Sequence, residues 1–180
     1  MTIAIPTMQV MHDDRVTNKA LRVVGASLLI GLCAQIAVEL PFTPVPITLH
    51  TFAIMLIAAK LGPRLGFMAV MTYVLEGCMG LPVFSGFSSG PGVLFGPTGG
   101  YLVGFMLAAF TTGSLLENGW AKSSVKRFFA QYIGSAIILG SGMIWLSHFV
   151  GGPYEAFLLG VAPFLFGDVL KNTMVAKITS

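Results

Sequence analysis

Long apolar runs alternate along this chain with short segments rich in proline, glycine or charge. The first run, ALRVVGASLLIGLCAQIAVEL over residues 20–40, is long enough to cross a bilayer, because a spanning helix needs about 20 apolar residues for a hydrocarbon core of about 30 Å. PFTPVPITLH follows. Pro41, Pro44 and Pro46 at that spacing favour extended backbone and cannot continue a helix. A shorter second helix is predicted over about 48–60, a tight turn at Gly62-Pro63-Arg64, and a third helix over 65–80. A fourth is predicted over 101–116 and, after the polar connection ENGWAKSSVKR, a fifth over 128–150. GGPYE turns the chain again. The last apolar stretch, from Ala156, divides at Pro163: AFLLGVAP reads as a short re-entrant piece and PFLFGDVLKNTMVAKITS as the final span, with Pro163 in the first turn, where proline is well tolerated. The pattern predicts an all-α integral membrane protein of six transmembrane helices. Residues 1–18 form a mixed polar tail and 19–180 one membrane domain.

Between the third and fourth helices the chain reads GLPVFSGFSSGPGVLFGPTGGYLVG, with Pro82, Pro91 and Pro97, many glycines and no charge. An exposed loop would be more polar, and a membrane helix would hold fewer breakers. Irregular backbone at membrane depth is tolerated only where it is buried in protein or lines a cavity. This segment therefore reads as a re-entrant loop forming one wall of a small-molecule site.

Composition sharpens the class. Charged residues make up 9% of the 180 residues and hydrophobic ones 55%, with a mean hydropathy of +0.85; a soluble domain carries about 25% charged residues. The net charge of +3 does not point to nucleic acid, because the ten Lys and Arg sit in short clusters. They fall at the start of helix 1 (Arg15, Lys19, Arg22), the 2–3 turn (Lys60, Arg64), the 4–5 connection (Lys122, Lys126, Arg127) and the last helix (Lys171, Lys177). The 1–2, 3–4 and 5–6 loops carry none. By the positive-inside rule both termini are expected in the cytoplasm, with the three Pro/Gly-rich loops on the outer face of the cell membrane. The N-terminus, MTIAIPTMQVMHDD, lacks the basic start of a cleaved signal peptide and is expected to be retained. Cys33 and Cys78 lie inside apolar runs and read as packing residues.

Asp168 and Lys171 carry the clearest chemistry. Ionisable residues within a membrane segment are costly and face the bundle interior or a cavity, and at i and i+3 they share one helix face. Starting the last helix near Pro163 sets Asp168 roughly 8 Å below its outer end, at about 1.5 Å per residue. The pair is either a ligand site or a self-neutralising structural bridge. Glu76, one turn before the central loop, is expected to bond that loop's backbone or sit at the interface, and Glu39 to be solvated at the outer end of helix 1. His50 and His148 read as hydrogen-bonded structure. Gly100 and Gly104, and more weakly Ser27 and Gly31, have the spacing of close helix packing. Gly86-Phe87-Ser88-Ser89-Gly90 matches G-x-S-x-G without the strand-to-helix elbow that a hydrolase needs. There is no G-x-x-x-x-G-K-[ST], so no P-loop is expected. No cluster has metal-ligand spacing, and no cofactor or enzyme activity is expected.

Five runs occur together and in order: PVPITLHTF (44–52), LGPRLG (61–66), GLPVFSGF (80–87), LFGPTGGYLVGF (94–105) and PFLFGDVLK (163–171). With them the chain, from Ala20 to its end, resembles the BioY family, the biotin-binding S-components of energy-coupling-factor (ECF) vitamin transporters. The resemblance implies a six-helix S-component with a biotin site near the outer face, closed by the 1–2 and 3–4 loops. It implies a transmembrane coupling subunit and two cytoplasmic ATPases as partners, and uptake by rotation of the whole S-component in the membrane. The D-x-x-K acid and lysine match Asp168 and Lys171. The GPTGGY run carries over Thr98, Gly99, Gly100 and Tyr101 as site wall, and Phe84 and Ser85 complete the expected substrate-binding set. His50 and Glu76 depart from the family pattern, where glutamine and an apolar residue are usual. Biotin offers two ureido N–H donors, a ureido carbonyl, an apolar sulfur ring and a carboxylate. Asp168 suits the N–H groups, Lys171 either the ureido carbonyl or the carboxylate, and Phe84, Phe87 and Tyr101 the ring and chain. A solitary or passive facilitator for biotin or a related small carboxylate is the alternative.

Overall fold

The computed structural model describes residues 7–179, with side chains from residue 16 onward. Helix α1 spans Thr7–Gln35, and its apolar, span-length part is Val16–Gln35. It starts earlier than the apolar run and stops earlier, because the chain passes into a two-stranded antiparallel ribbon. Strand β1 (Ala37–Val38) pairs with β2 (Ile47–Thr48), and the proline-rich segment forms the connection.

Helix α2 runs over His50–Cys78 but is interrupted at Gly62, whose φ of 75° and ψ of −178° are not helical. The interruption is a reversal. The His50 ring and the Tyr73 hydroxyl lie 2.6 Å apart, whereas 23 residues of straight helix would separate them by about 35 Å. A Cβ on Gly66 would meet the Ala58 Cα at 3.3 Å. The element is thus a hairpin of two antiparallel arms, 50–61 and 63–78, corresponding to the second and third expected helices. Gly62 supplies the positive φ that a side chain would resist, and Pro63 opens the second arm, where its missing N–H has no partner to lose.

The glycine-rich loop contains a 3-10 turn at Ser85–Phe87 and a one-turn helix α3 (Gly92–Phe95). Helix α4 covers Gly99–Glu117, and α5 covers Ser124–Leu146. The fifth helix begins and ends about a turn before its expected limits, with residues 147–152 forming the next connection. Helices α6 (Pro153–Gly160) and α7 (Ala162–Ile178) meet at a 45° bend beside Pro163. The short piece and the final span are therefore separate helices, as the sequence predicts. Counting each arm of α2 and the bent pair once gives six passages.

Close packing depends on missing side chains. A Cβ on Gly100 would sit 2.6 Å from the Ser141 carbonyl, and one on Gly104 would fall on the Ser141 hydroxyl and 3.0 Å from the Ile138 Cα. Gly142 of α5 receives the Tyr101 ring. Leu21, Leu28 and Leu32 of α1 face outward, as expected of a helix against lipid.

The two ends of the bundle differ. Gly113, near the C-terminal end of α4, rests on Gly62 and Pro63, and the Lys60 ammonium donates to the Ile178 carbonyl at 3.5 Å. The α2 reversal, the α4–α5 connection and the C-terminal end of α7 therefore share one end. It bears Lys60, Arg64, Lys122, Lys126 and Arg127. The proline- and glycine-rich loops gather at the other.

Candidate binding cavity

A cavity of about 600 Å³ lies under the loops. Its walls come from the β1–β2 connection (Thr43, Val45, Pro46), the loop after α2 (Phe84, Ser85, Ser88, Thr98), α4 (Tyr101, Leu102, Phe105) and α5 (Ile138, Leu139). His50, Thr51 and Tyr73 come from the two arms of α2, and Phe164, Asp168 and Lys171 from α7. Thr43 is anchored by donating its hydroxyl to the Leu159 carbonyl at 2.7 Å, which fastens the first loop to α6. Mostly apolar walls around a few convergent polar groups are the usual make-up of a ligand site.

The charged pair and its hydroxyl partners cluster where α2 and α7 meet. Asp168 and Lys171 are 4% and 9% exposed and form an ion pair at 3.1 Å. Lys171 Nζ also donates to the Thr51 hydroxyl at 2.6 Å and to the Thr48 carbonyl at 3.4 Å. The Thr51 hydroxyl donates in turn to Asp168 Oδ1 at 3.5 Å, and the Ser135 hydroxyl to Oδ2. A buried ion pair is tolerable only when hydrogen bonds satisfy its remaining atoms. Here three side chains share the carboxylate. A ligand carrying N–H donors meets a carboxylate already oriented toward the cavity, and a ligand oxygen meets the ammonium beside it.

His50 is buried next to this cluster. Its Nδ1 is 2.9 Å from the Thr48 hydroxyl and its Nε2 is 2.6 Å from the Tyr73 hydroxyl. The ring is thereby fixed as a structural member of the wall. Tyr73 also receives the Phe84 ring edge-on, with centroids 5.5 Å apart. The Tyr101 hydroxyl donates to the Gly160 carbonyl at 2.7 Å, tying α4 to the α6–α7 bend.

Of the residues anticipated from sequence, Asp168, Lys171, Thr98, Tyr101, Phe84 and Ser85 all border the cavity. Gly99 and Gly100 do not. A Cβ on Gly99 would run into the Leu94 carbonyl, and Gly100 abuts Trp145 and Ser141, so both serve packing. Phe87 is 71% exposed and away from the cavity wall, so of the three aromatics only Phe84 and Tyr101 cover it. The Glu76 carboxylate bonds another helix rather than the loop backbone: its Oε1 accepts from Ser27 of α1 at 3.0 Å. Glu39 is exposed, as expected, and borders the cavity. The exposed His148 bonds the Ile144 carbonyl at 3.1 Å. Ser88 donates to the Ser85 carbonyl at 2.7 Å, and both cysteines are free thiols. Thr48, Thr51, Tyr73 and Ser135 went unmarked in the sequence. Their signal is faint: a hydroxyl at i and i+3 in TLHT, and a polar position inside an apolar helix.

Fold and cavity together define a multi-pass membrane protein with a small-molecule site enclosed by its loops. The sequence model of the BioY family matches residues 6–180, and the chain belongs to that family. It is 42% identical to the biotin transporter BioY of Thermotoga maritima over 78% of this chain and 82% of that one. With the probable biotin transporter BioY of Pyrococcus horikoshii it shares 41% identity over 79% and 82%. With biotin transporter BioY2 of Lactococcus lactis it shares 34% over 92% and 89%. A crystal structure of the S-component for biotin from an ECF-type ABC transporter has the same fold, with a TM-score of 0.85 at 22% identity over 98% of this chain and 93% of that one.

Proposed function

We propose that this protein is the biotin-binding component of an uptake system. In this reading it captures biotin at its loop end, which faces outward, and passes it across the cell membrane with an ECF module of one transmembrane coupling subunit and two ATPases. The observation that carries the reading is the Asp168–Lys171 pair with its hydroxyl partners at the edge of a mostly apolar cavity walled by aromatic side chains. The carboxylate accepts the ureido N–H groups, and Lys171 offers N–H donors to a ligand oxygen. The names of the curated relatives support the substrate. The basic end, carrying the clusters at Lys60 and Lys122, lies in the cytoplasm with both termini.

Thermal unfolding of the detergent-purified protein tests the substrate, with biotin, thiamine and riboflavin compared side by side. A ligand confined to the native state adds about 2.7 kcal/mol at a hundredfold excess over its dissociation constant, so biotin alone is expected to raise the melting temperature. A folded sample that responds to none of the three would refute the assignment. Uptake by vesicles holding this chain alone, against vesicles to which the module is added, separates a driven component from a passive facilitator.

A further inference from the structure

One side chain outside the cavity ties the loop above it to the bundle. Gln35, the last residue of α1, gives its whole side-chain amide to this task. Nε2 lies 3.1 Å from the Phe84 carbonyl oxygen, 3.2 Å from that of Val83 and 3.2 Å from that of Gly31 in its own helix. Oε1 accepts the backbone N–H of Phe87 at 3.0 Å. An amide has two N–H donors and one acceptor oxygen, and here all of them are engaged. The segment so held, 83–87, contains the cavity residues Phe84 and Ser85.

The same segment is strained. Phe87 is the one non-glycine residue with positive φ, at 57°, among the described residues. A bulky side chain rarely takes that conformation, and it persists only where the surroundings over-determine it. The Phe87 side chain supplies little of that constraint, being 71% exposed. Bonds within the turn, from Phe84 N–H to the Ser88 carbonyl and from Ser88 to the Ser85 carbonyl, supply part of it, and the Phe87 N–H bond to Gln35 ties the turn to α1. Phe84 is secured separately, its ring seated where Gly77 has no Cβ and edge-on to Tyr73. The loop thus has a packed inner half and a strained outer turn, closed on itself by the Ser88-to-Ser85 bonds and fastened to α1 by one amide.

We infer that Gln35 is the latch of this loop, a positioning residue that sets how long a ligand stays in the cavity, with the strained Phe87 turn working against it. This rests on the reading above that ligand binds beneath the loop.

The test is a chase of bound biotin from the full-length protein. Gln35→Met keeps the size and removes the side-chain bonds, so dissociation is expected to be about tenfold faster. Association should change far less, because loss of a closed-state contact acts mainly on the off-rate. Phe87→Asn keeps the backbone bond and suits positive φ, so it should slow release. Opposite signs at neighbouring positions are not what general destabilisation produces. Release from Gln35→Met at the wild-type rate, or faster release from Phe87→Asn, would overturn the latch. If Gln35→Met does not fold, Phe87→Asn decides alone. Hydrogen exchange at the Phe87 amide, measured without ligand, should also be faster in Gln35→Met. If biotin fails to bind the wild-type protein, the substrate reading falls, and the exchange comparison still decides the latch: equal rates reject it.

Discussion

At the scale of single residues the question is what the Asp168–Lys171 pair is for. Removing one member leaves the other charged and buried, a change that costs about 3–5 kcal/mol, so Lys171→Met is expected to lower the melting temperature sharply. The double variant Asp168→Leu/Lys171→Met removes both charges and should recover most of that stability, yet show no biotin-induced shift. A double variant that still responded to biotin would make the pair structural only. Asp168→Asn tests the acceptor itself: losing a hydrogen bond to a charged group costs about 1.5–3 kcal/mol, or roughly 10- to 150-fold in affinity. Glu39→Ala, at an exposed position on the cavity wall, should weaken binding less, and titration calorimetry of the two variants checks the order. The pair was legible in the sequence because charge inside an apolar segment is conspicuous. Its partners Thr51 and Ser135 were not, because hydroxyl side chains are unremarkable in membrane helices and their role depends on which helices meet. Glu76 illustrates the same limit: the charge was visible, but its partner Ser27 lies 49 residues away on another helix.

At the scale of elements the breaks were easier to find than the edges. Proline and glycine marked the α2 reversal, the re-entrant loop and the α6–α7 bend, since each removes a donor or takes backbone angles that a helix cannot. The limits of α1 and α5 shifted by several residues, because hydropathy does not register where a ribbon or turn takes over the backbone hydrogen bonds. Nor does it reveal that Gly99 and Gly100 are pressed against Leu94, Ser141 and Trp145. The α2 reversal carries its own test. A methyl group on Gly113 would lie 2.6 Å from the Pro63 nitrogen and 2.8 Å from the Gly62 carbonyl carbon. Both are backbone atoms with little room to move. Overpacking of this kind costs about 1–3 kcal/mol, so Gly113→Ala should lower the melting temperature. Gly25→Ala, in open space, should not. Equal melting temperatures would mean that the α2 arms and α4 are not locked together as described.

At the scale of the whole molecule, the segregation of basic clusters from loops without Lys or Arg sets the expected orientation. With Cys33 and Cys78 replaced by serine, a cysteine at Phe42 should react with an impermeant thiol reagent from outside the cell, and one at Lys122 only from inside; the reverse pattern would invert the topology. The α2 hairpin has a further effect on its surroundings. Its arms, 50–61 and 63–78, are roughly 18 and 24 Å long at about 1.5 Å per residue, against a hydrocarbon layer of about 30 Å. Lys60 and Arg64 flank the reversal and are exposed, so that end stays at the headgroups. A span this short is matched by local thinning of the bilayer together with snorkelling of Lys60 and Arg64 to the headgroups, at a cost of a fraction of a kcal/mol per ångström of mismatch. In vesicles of graded acyl length the melting temperature should therefore peak in the thinner membranes.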